Sequence, residues 1–178
     1  MMSLFHFTSL PHLEEIIRSG TIRVTESNIG APWQDPIYPY GTHAGPPVVH
    51  LLDSPDPFDF DHGLTGAAYD KRQARFEVNV QGVPWGEWEW TQMMSPRWRG
   101  ILERQAGEGA SAHWRIQPAP IRAKRWVSVA VLDSEEAPVP DAYKAHLGPA
   151  DGQGYRALPE ALIEAIRLAP GSHVRPPR

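Results

Sequence analysis

Cysteine is absent from this chain of 178 residues. Its absence excludes structural disulfides, thiolate metal sites and cysteine nucleophiles, and fits a reducing, cytoplasmic setting. No apolar run approaches the length of a membrane span, so no membrane partner is expected. Acidic residues arrive by Glu14, before any long apolar core of the secretory-signal kind could form. Neither GxxxxGKS/T nor GxGxxG occurs, which leaves no recognisable glycine-rich phosphate cradle. Gly-x-Ser-x-Gly is missing as well, and with it the usual setting of a serine nucleophile. The eight histidines, at 6, 12, 43, 50, 62, 113, 146 and 173, include no i, i+4 pair and no HExxH, so no metal site is expected. Positive charge is not in excess either. A net charge of −4 excludes a sequence-blind polyanion binder over the whole surface and leaves room for a local basic face.

What the chain does have is a core's worth of apolar residues, 41%, together with nineteen prolines, fifteen glycines and seven tryptophans. These point to one loop-rich α+β domain over residues 1–170, with a flexible tail over 171–178. Residues 4–8 read as a strand, and Leu10, Leu13, Ile16 and Ile17 recur at helical spacing over about 10–19, closed by Gly20. Residues 21–25 read as a second strand. From Asn28 to Pro47 no period is sustained, and such long loops are often functional. Val48–Leu52 is a continuous apolar strand broken only by His50. The segment 53–62 is acidic and reads as a surface loop. Residues 73–80 alternate, with Ala74, Phe76, Val78 and Val80 on the core face and Arg75, Glu77 and Asn79 on the other. A helix is expected from Pro96 to about Gln105, strands over 113–117 and 125–132, and an amphipathic helix over 158–168.

His6 draws attention because it is a polar ring between two phenylalanines. A core histidine bonded to backbone accounts for it, and so does a ring aimed into a ligand cleft at a strand edge. Glu87 and Glu89 would share one face if their segment were a strand, as paired carboxylates for acid–base or oxocarbenium chemistry do; in a turn entering a helix they would be solvated. Seven cations from Arg97 to Arg125 interleave with Trp98, Trp114 and Trp126, a mixture that suits base stacking and phosphate pairing as well as an ordinary solvated face.

The opening stretch LFHFTSLPHLEEIIRSGTIRVTESN, with His6-Phe7-Thr8, the Leu13/Ile16/Ile17 helix and Gly20, resembles the start of the diphtheria-toxin-like ADP-ribosyltransferase superfamily. It looks most like the DNA-targeting bacterial toxin branch. The resemblance covers about fifty residues at motif level and the later strand order beyond. It implies a split antiparallel β-sheet flanked by short helices, with NAD as substrate in the cleft. It implies that His6 bonds a ribose hydroxyl, that Thr8 supports that edge, and that Tyr40 or Tyr38 stacks on the nicotinamide. Glu26 and Asn28, just past the second expected strand, would line the cleft. Nucleic acid is the expected acceptor, and an antitoxin or inhibitor protein the partner such a toxin implies. The sequence departs from the pattern where a late glutamate is usual: His113-Trp114-Arg115 stands there. Glu87, Glu89, Glu103 and Glu108 are the possible substitutes, and Trp114 could instead stack on a base or nicotinamide. Without the glutamate, two alternatives stay open. One is a non-catalytic nucleotide- or nucleic-acid-binding module. The other is a metal-independent ribonuclease using His6, His43 or His113.

Overall fold

The computed structural model describes residues 3–27, 45–58, 64, 70–133, 139 and 141–168. The first strand, β1 (Leu4–Thr8), buries Leu4, Phe5, Phe7 and Thr8. Helix α1 (Leu10–Ser19) follows with Pro11 in its first turn, where a missing N–H costs nothing. It buries Leu13, Ile16 and Ile17, and stops at Gly20, which takes φ 64° and donates its N–H to the Ile16 carbonyl.

The strand expected over 21–25 is two short ones with different partners. β2 (Thr21–Ile22) pairs with β8 (Ile121–Arg122) in a separate ribbon, and β3 (Thr25–Ser27) pairs with β4 (Gly45–Leu52). A single straight strand could not serve both. β4 is longer than its apolar run suggests, because Pro46 and Pro47 are carried at an irregularity. Thr25 faces Val48 and Ser27 faces Gly45, so three steps on β4 oppose two on β3.

β5 (Ala74–Val78), β6 (Val83–Pro84), β7 (Trp114–Gln117), β9 (Trp126–Leu132) and β10 (Tyr155–Ala157) complete the sheet. The order is β10-β9-β5-β1-β4-β7-β6, with every neighbouring pair antiparallel and β3 on the first half of β4. This is an α+β domain with a mainly antiparallel sheet.

One face of the sheet packs on α1 and on α5 (Glu160–Leu168) through Leu4, Val49, Leu51, Ala74, Phe76, Val78, Val129, Val131, Ile163 and Ile166. The other face gathers Phe5, Phe7, Val48, Leu52, Trp85, Trp114, Ile116 and Tyr155. Residues Arg75 and Glu77 were expected to look outward; they lie under this second layer instead. Arg75 is only 12% exposed, stacks 4.4 Å from the Tyr155 ring and bonds Asp151 at 2.6 Å. Asp151 is accordingly held below the usual carboxylate range by Arg75 and the Tyr155 and Gln153 amides, against the opposing effect of its burial.

Helices α2 (Glu89–Met93), α3 (Pro96–Ala106) and α4 (Asp141–Lys144) lie outside the sheet. Gly82, between β5 and β6, takes φ 61°. A β-carbon there would come within 2.6 Å of Leu4 Cδ1, so only glycine lets this turn press on β1. Among the described residues no helix is long and apolar enough to cross a membrane. The tail over 171–178 lies outside the described residues.

Candidate functional site

β1 has two unlike edges. Along β5 it is paired at every residue, from Leu4 opposite Val78 to Thr8 opposite Ala74. Along β4 the register holds a single pair, Phe5 opposite Leu52. Beyond it the strands part, and β3 takes the first half of β4. The β1–β4 edge is therefore a seam, laddered at Phe5/Leu52 and without a further ladder pair toward Thr8.

His6 stands one residue into the seam. Strand alternation sets it on the α1 face with Leu4 and Thr8, and its ring centre is 6.3 Å from that of Phe76. Its Nδ1 lies 3.0 Å from the His50 carbonyl oxygen. A carbonyl can only accept, so Nδ1 carries the proton and Nε2 keeps its lone pair. Burial lowers the imidazole's proton affinity to a pKa of about 4. The bond to His50 opposes that shift, while the charge of Lys71, and less so that of His12, adds to it. At neutral pH His6 is thus an uncharged ring with one committed donor and one acceptor. The ring satisfies a backbone carbonyl, as the core reading of this residue expects, and does so at the edge of β1 where the ladder with β4 ends.

His50 is a residue the sequence reading passed over. It is half-buried on β4 opposite Ile116, and burial, then His6 and Lys71, lower its pKa to about 4. Its signal was the same as that of His6: one polar ring interrupting an apolar strand. Thr8 is buried at the end of β1. Glu26 lies on β3, which pairs with the first half of β4. Asn28, Tyr38, Tyr40 and His43 lie outside the described residues.

Several expected site residues are elsewhere. Glu87 is exposed at the end of a 3-10 turn over Trp85–Glu87, and Glu89 begins α2. The E-x-E segment is thus a turn entering a helix, because Gly86 and the bulky Trp85, locked in the core, break the extended path. Two strands, β4 and β7, separate it from β1. Glu103 sits on α3, paired with Arg99 at 3.2 Å and with the Ser111 hydroxyl 3.5 Å away. Trp114 is only 5% exposed and meets Trp85 edge-on at 4.9 Å. It is core, not an open stacking platform, because its alternation on β7 turns it inward with Ile116.

At the closed end of the seam Asp53 follows directly on β4. It is 11% exposed, bonds His113 Nδ1 at 2.7 Å and pairs with Arg115. Its amide also donates to the His113 carbonyl. This knot ties β4 to β7 just past the last seam pair. Glu77, on β5, takes hydrogen bonds from Ser3 at 2.6 Å and Ser128 at 3.0 Å, on the sheet face opposite His6. Among the described residues no cluster of His, Asp or Glu could hold a metal ion.

In comparison with known proteins, no family model, no curated protein and no solved structure matches this chain.

Proposed function

We propose that the chain is an NAD-dependent ADP-ribosyltransferase-like protein that modifies a macromolecule, with nucleic acid favoured as the acceptor. The observation that carries this reading is His6: a neutral imidazole whose Nδ1 is committed to the His50 carbonyl, which leaves Nε2 as an acceptor, at the edge of β1 where the ladder with β4 ends. A lone pair held this way accepts a hydrogen bond from a ribose hydroxyl without having to lose a proton first. Lys71 is the charged neighbour that acts on His6, and it favours an anionic ligand such as a diphosphate. Thr8 ends β1, and Glu26 lies on β3.

In the reaction the glycosidic C–N bond breaks, nicotinamide leaves with the electron pair, and an acceptor lone pair forms the new bond at the same carbon and then sheds its proton. The contribution of the chain is to hold the ribose by its hydroxyls and to exclude water.

A second reading is a nucleotide-binding module with no chemistry. It is favoured by the seam electrostatics, since no carboxylate is among the groups acting on His6. The ribonuclease reading has less support. An imidazole held near 4 is a weak base at neutral pH, and His113 is engaged with Asp53.

Incubation with NAD and candidate acceptors, followed by measurement of released nicotinamide, tests the proposal. His6→Ala is expected to lower turnover about tenfold, the worth of one well-aimed hydrogen bond, while the domain stays folded. Unchanged turnover in that variant would overturn the assignment. NAD binding without nicotinamide release would favour the module.

A further inference from the structure

The fold sorts the cations of the second half of the chain into two kinds. Arg99 is paired with Glu103, and Arg115 with Asp53. Arg122, Lys124 and Arg125 are exposed, on β8 and on the 3-10 turn directly after it. A fourth cation joins them from the first half. Thr21 pairs with Arg122, and the Ala123 amide donates to the Gly20 carbonyl at 2.8 Å. These bonds bring the last turn of α1, with the exposed Arg18, against β8. None of these four side chains has an ion-pair partner among the described residues. The carboxylate of Glu15, one turn back on α1, is already taken by Arg23 at 3.1 Å. Four cations without an ion-pair partner among the described residues therefore sit on adjoining elements of a chain whose net charge is −4.

We propose that this ridge, Arg18, Arg122, Lys124 and Arg125, docks the phosphate backbone of duplex nucleic acid. It rests on the transferase reading only in making the bound duplex the acceptor; binding itself does not depend on it. Exposed guanidinium and ammonium groups release condensed counterions from a duplex and need no base contact to do so. A single strand is disfavoured as the partner because the tryptophans that flank these cations in the sequence, Trp114 and Trp126, offer no stacking platform. The neighbouring Trp126 is 2% exposed, with its Nε1 directed at the Ile121 carbonyl 3.4 Å away, and Trp114 is buried in the second core layer. An anionic membrane is disfavoured because Ile121 and Ala123, which alternate with the cations, turn into the core. The exposed apolar group just past the ridge is Val127, a single small side chain.

The test is fluorescence anisotropy with a labelled random-sequence duplex, titrated over a range of salt. The wild-type chain is expected to bind with log K falling linearly in log salt, with a slope of about −3 to −4 for four neutralised phosphates. The fourfold variant Arg18→Gln/Arg122→Gln/Lys124→Gln/Arg125→Gln should bind at least about tenfold more weakly at low salt, with most of the slope gone. Its melting temperature should match the wild type. If it does not, Lys124→Gln/Arg125→Gln is measured in its place, with about half the slope lost. Arg97→Gln/Arg104→Gln, on α3 and away from the ridge, should bind as wild type does. Wild-type affinity in the ridge variants, no duplex binding by the wild type at low salt, or displacement of the duplex by phosphatidylserine vesicles would each overturn the proposal. Duplex binding without nicotinamide release would uphold the ridge and remove the transferase; release without duplex binding would do the reverse.

Discussion

The two edges of β1 show the same five residues solving one problem in two ways. On the β5 side the backbone groups are satisfied by a regular ladder, and both faces are covered by packed side chains. On the β4 side the ladder ends after one pair, and a side chain takes over: the His6 imidazole donates to the His50 carbonyl that a strand neighbour would otherwise have served. A buried carbonyl needs some donor, but not a backbone one. What the comparison teaches is that a sheet can be opened without leaving orphans if the donor that closes the account is a side chain with a second, unspent atom. The laddered edge is held by backbone alone, and the other edge leans on one imidazole.

The strongest way to break the contrast is to damage the laddered side. Phe76→Ala, at a fully buried position between β1 and β9, is expected to cost about 3–5 kcal/mol by denaturant unfolding. A loss below about 1 kcal/mol would mean the ladder side is not the rigid half. Next comes the closed end of the seam. Asp53→Asn leaves Arg115 half-buried without its counter-charge and should cost about 3 kcal/mol, read from the same unfolding curves. Stability equal to wild type would show that the knot does not hold the seam shut.

A subtler change is expected from pH. His6 and His50 bind protons less readily folded than unfolded, with pKa values near 4 against an ordinary 6.5. Between those values the unfolded chain holds more protons, so stability rises with pH; it is complete above about 6.5 and drains away as the pH falls toward 4. His6→Gln keeps an amide donor for the His50 carbonyl but cannot titrate. It should flatten that slope, and an unaltered slope would assign the effect to other groups. The smallest effect is expected furthest from the seam. Glu87→Gln, at an exposed turn, should change stability by less than about 0.5 kcal/mol and leave nicotinamide release untouched. A large loss of release would restore Glu87 as a candidate.

Local pattern carried a good part of the fold. The period of α1 and its glycine stop, the alternation of β5 and the apolar run of β9 all survive in the structure with bounds shifted by a residue or two. His6 was legible because a polar ring in an apolar strand is costly, and the same reasoning extended to β4 would have picked out His50. What local pattern could not carry was pairing. Nothing in residues 21–25 says that two partners pull the backbone two ways, or that the outward face of β5 acquires a second layer around Tyr155. The tryptophans misled for the same reason. Trp114 and Trp126 alternate with cations along the sequence, but strand geometry sends the rings inward and the charges out. Glu87 was named from an E-x-E spacing that needed a strand, and Glu103 from residue type alone; the first failed where the segment turned into a helix, and type does not fix where a chain brings a residue.

Gly82 has an effect that reaches past its own turn. Because it carries no side chain, the β5–β6 connection can lean on Leu4, two residues ahead of His6 on the same strand face. A methyl group there would press on the end of the Leu4 side chain, in a backbone conformation that side chains rarely adopt. The packing beneath the first strand thus relies on a residue whose contribution is the room it leaves vacant.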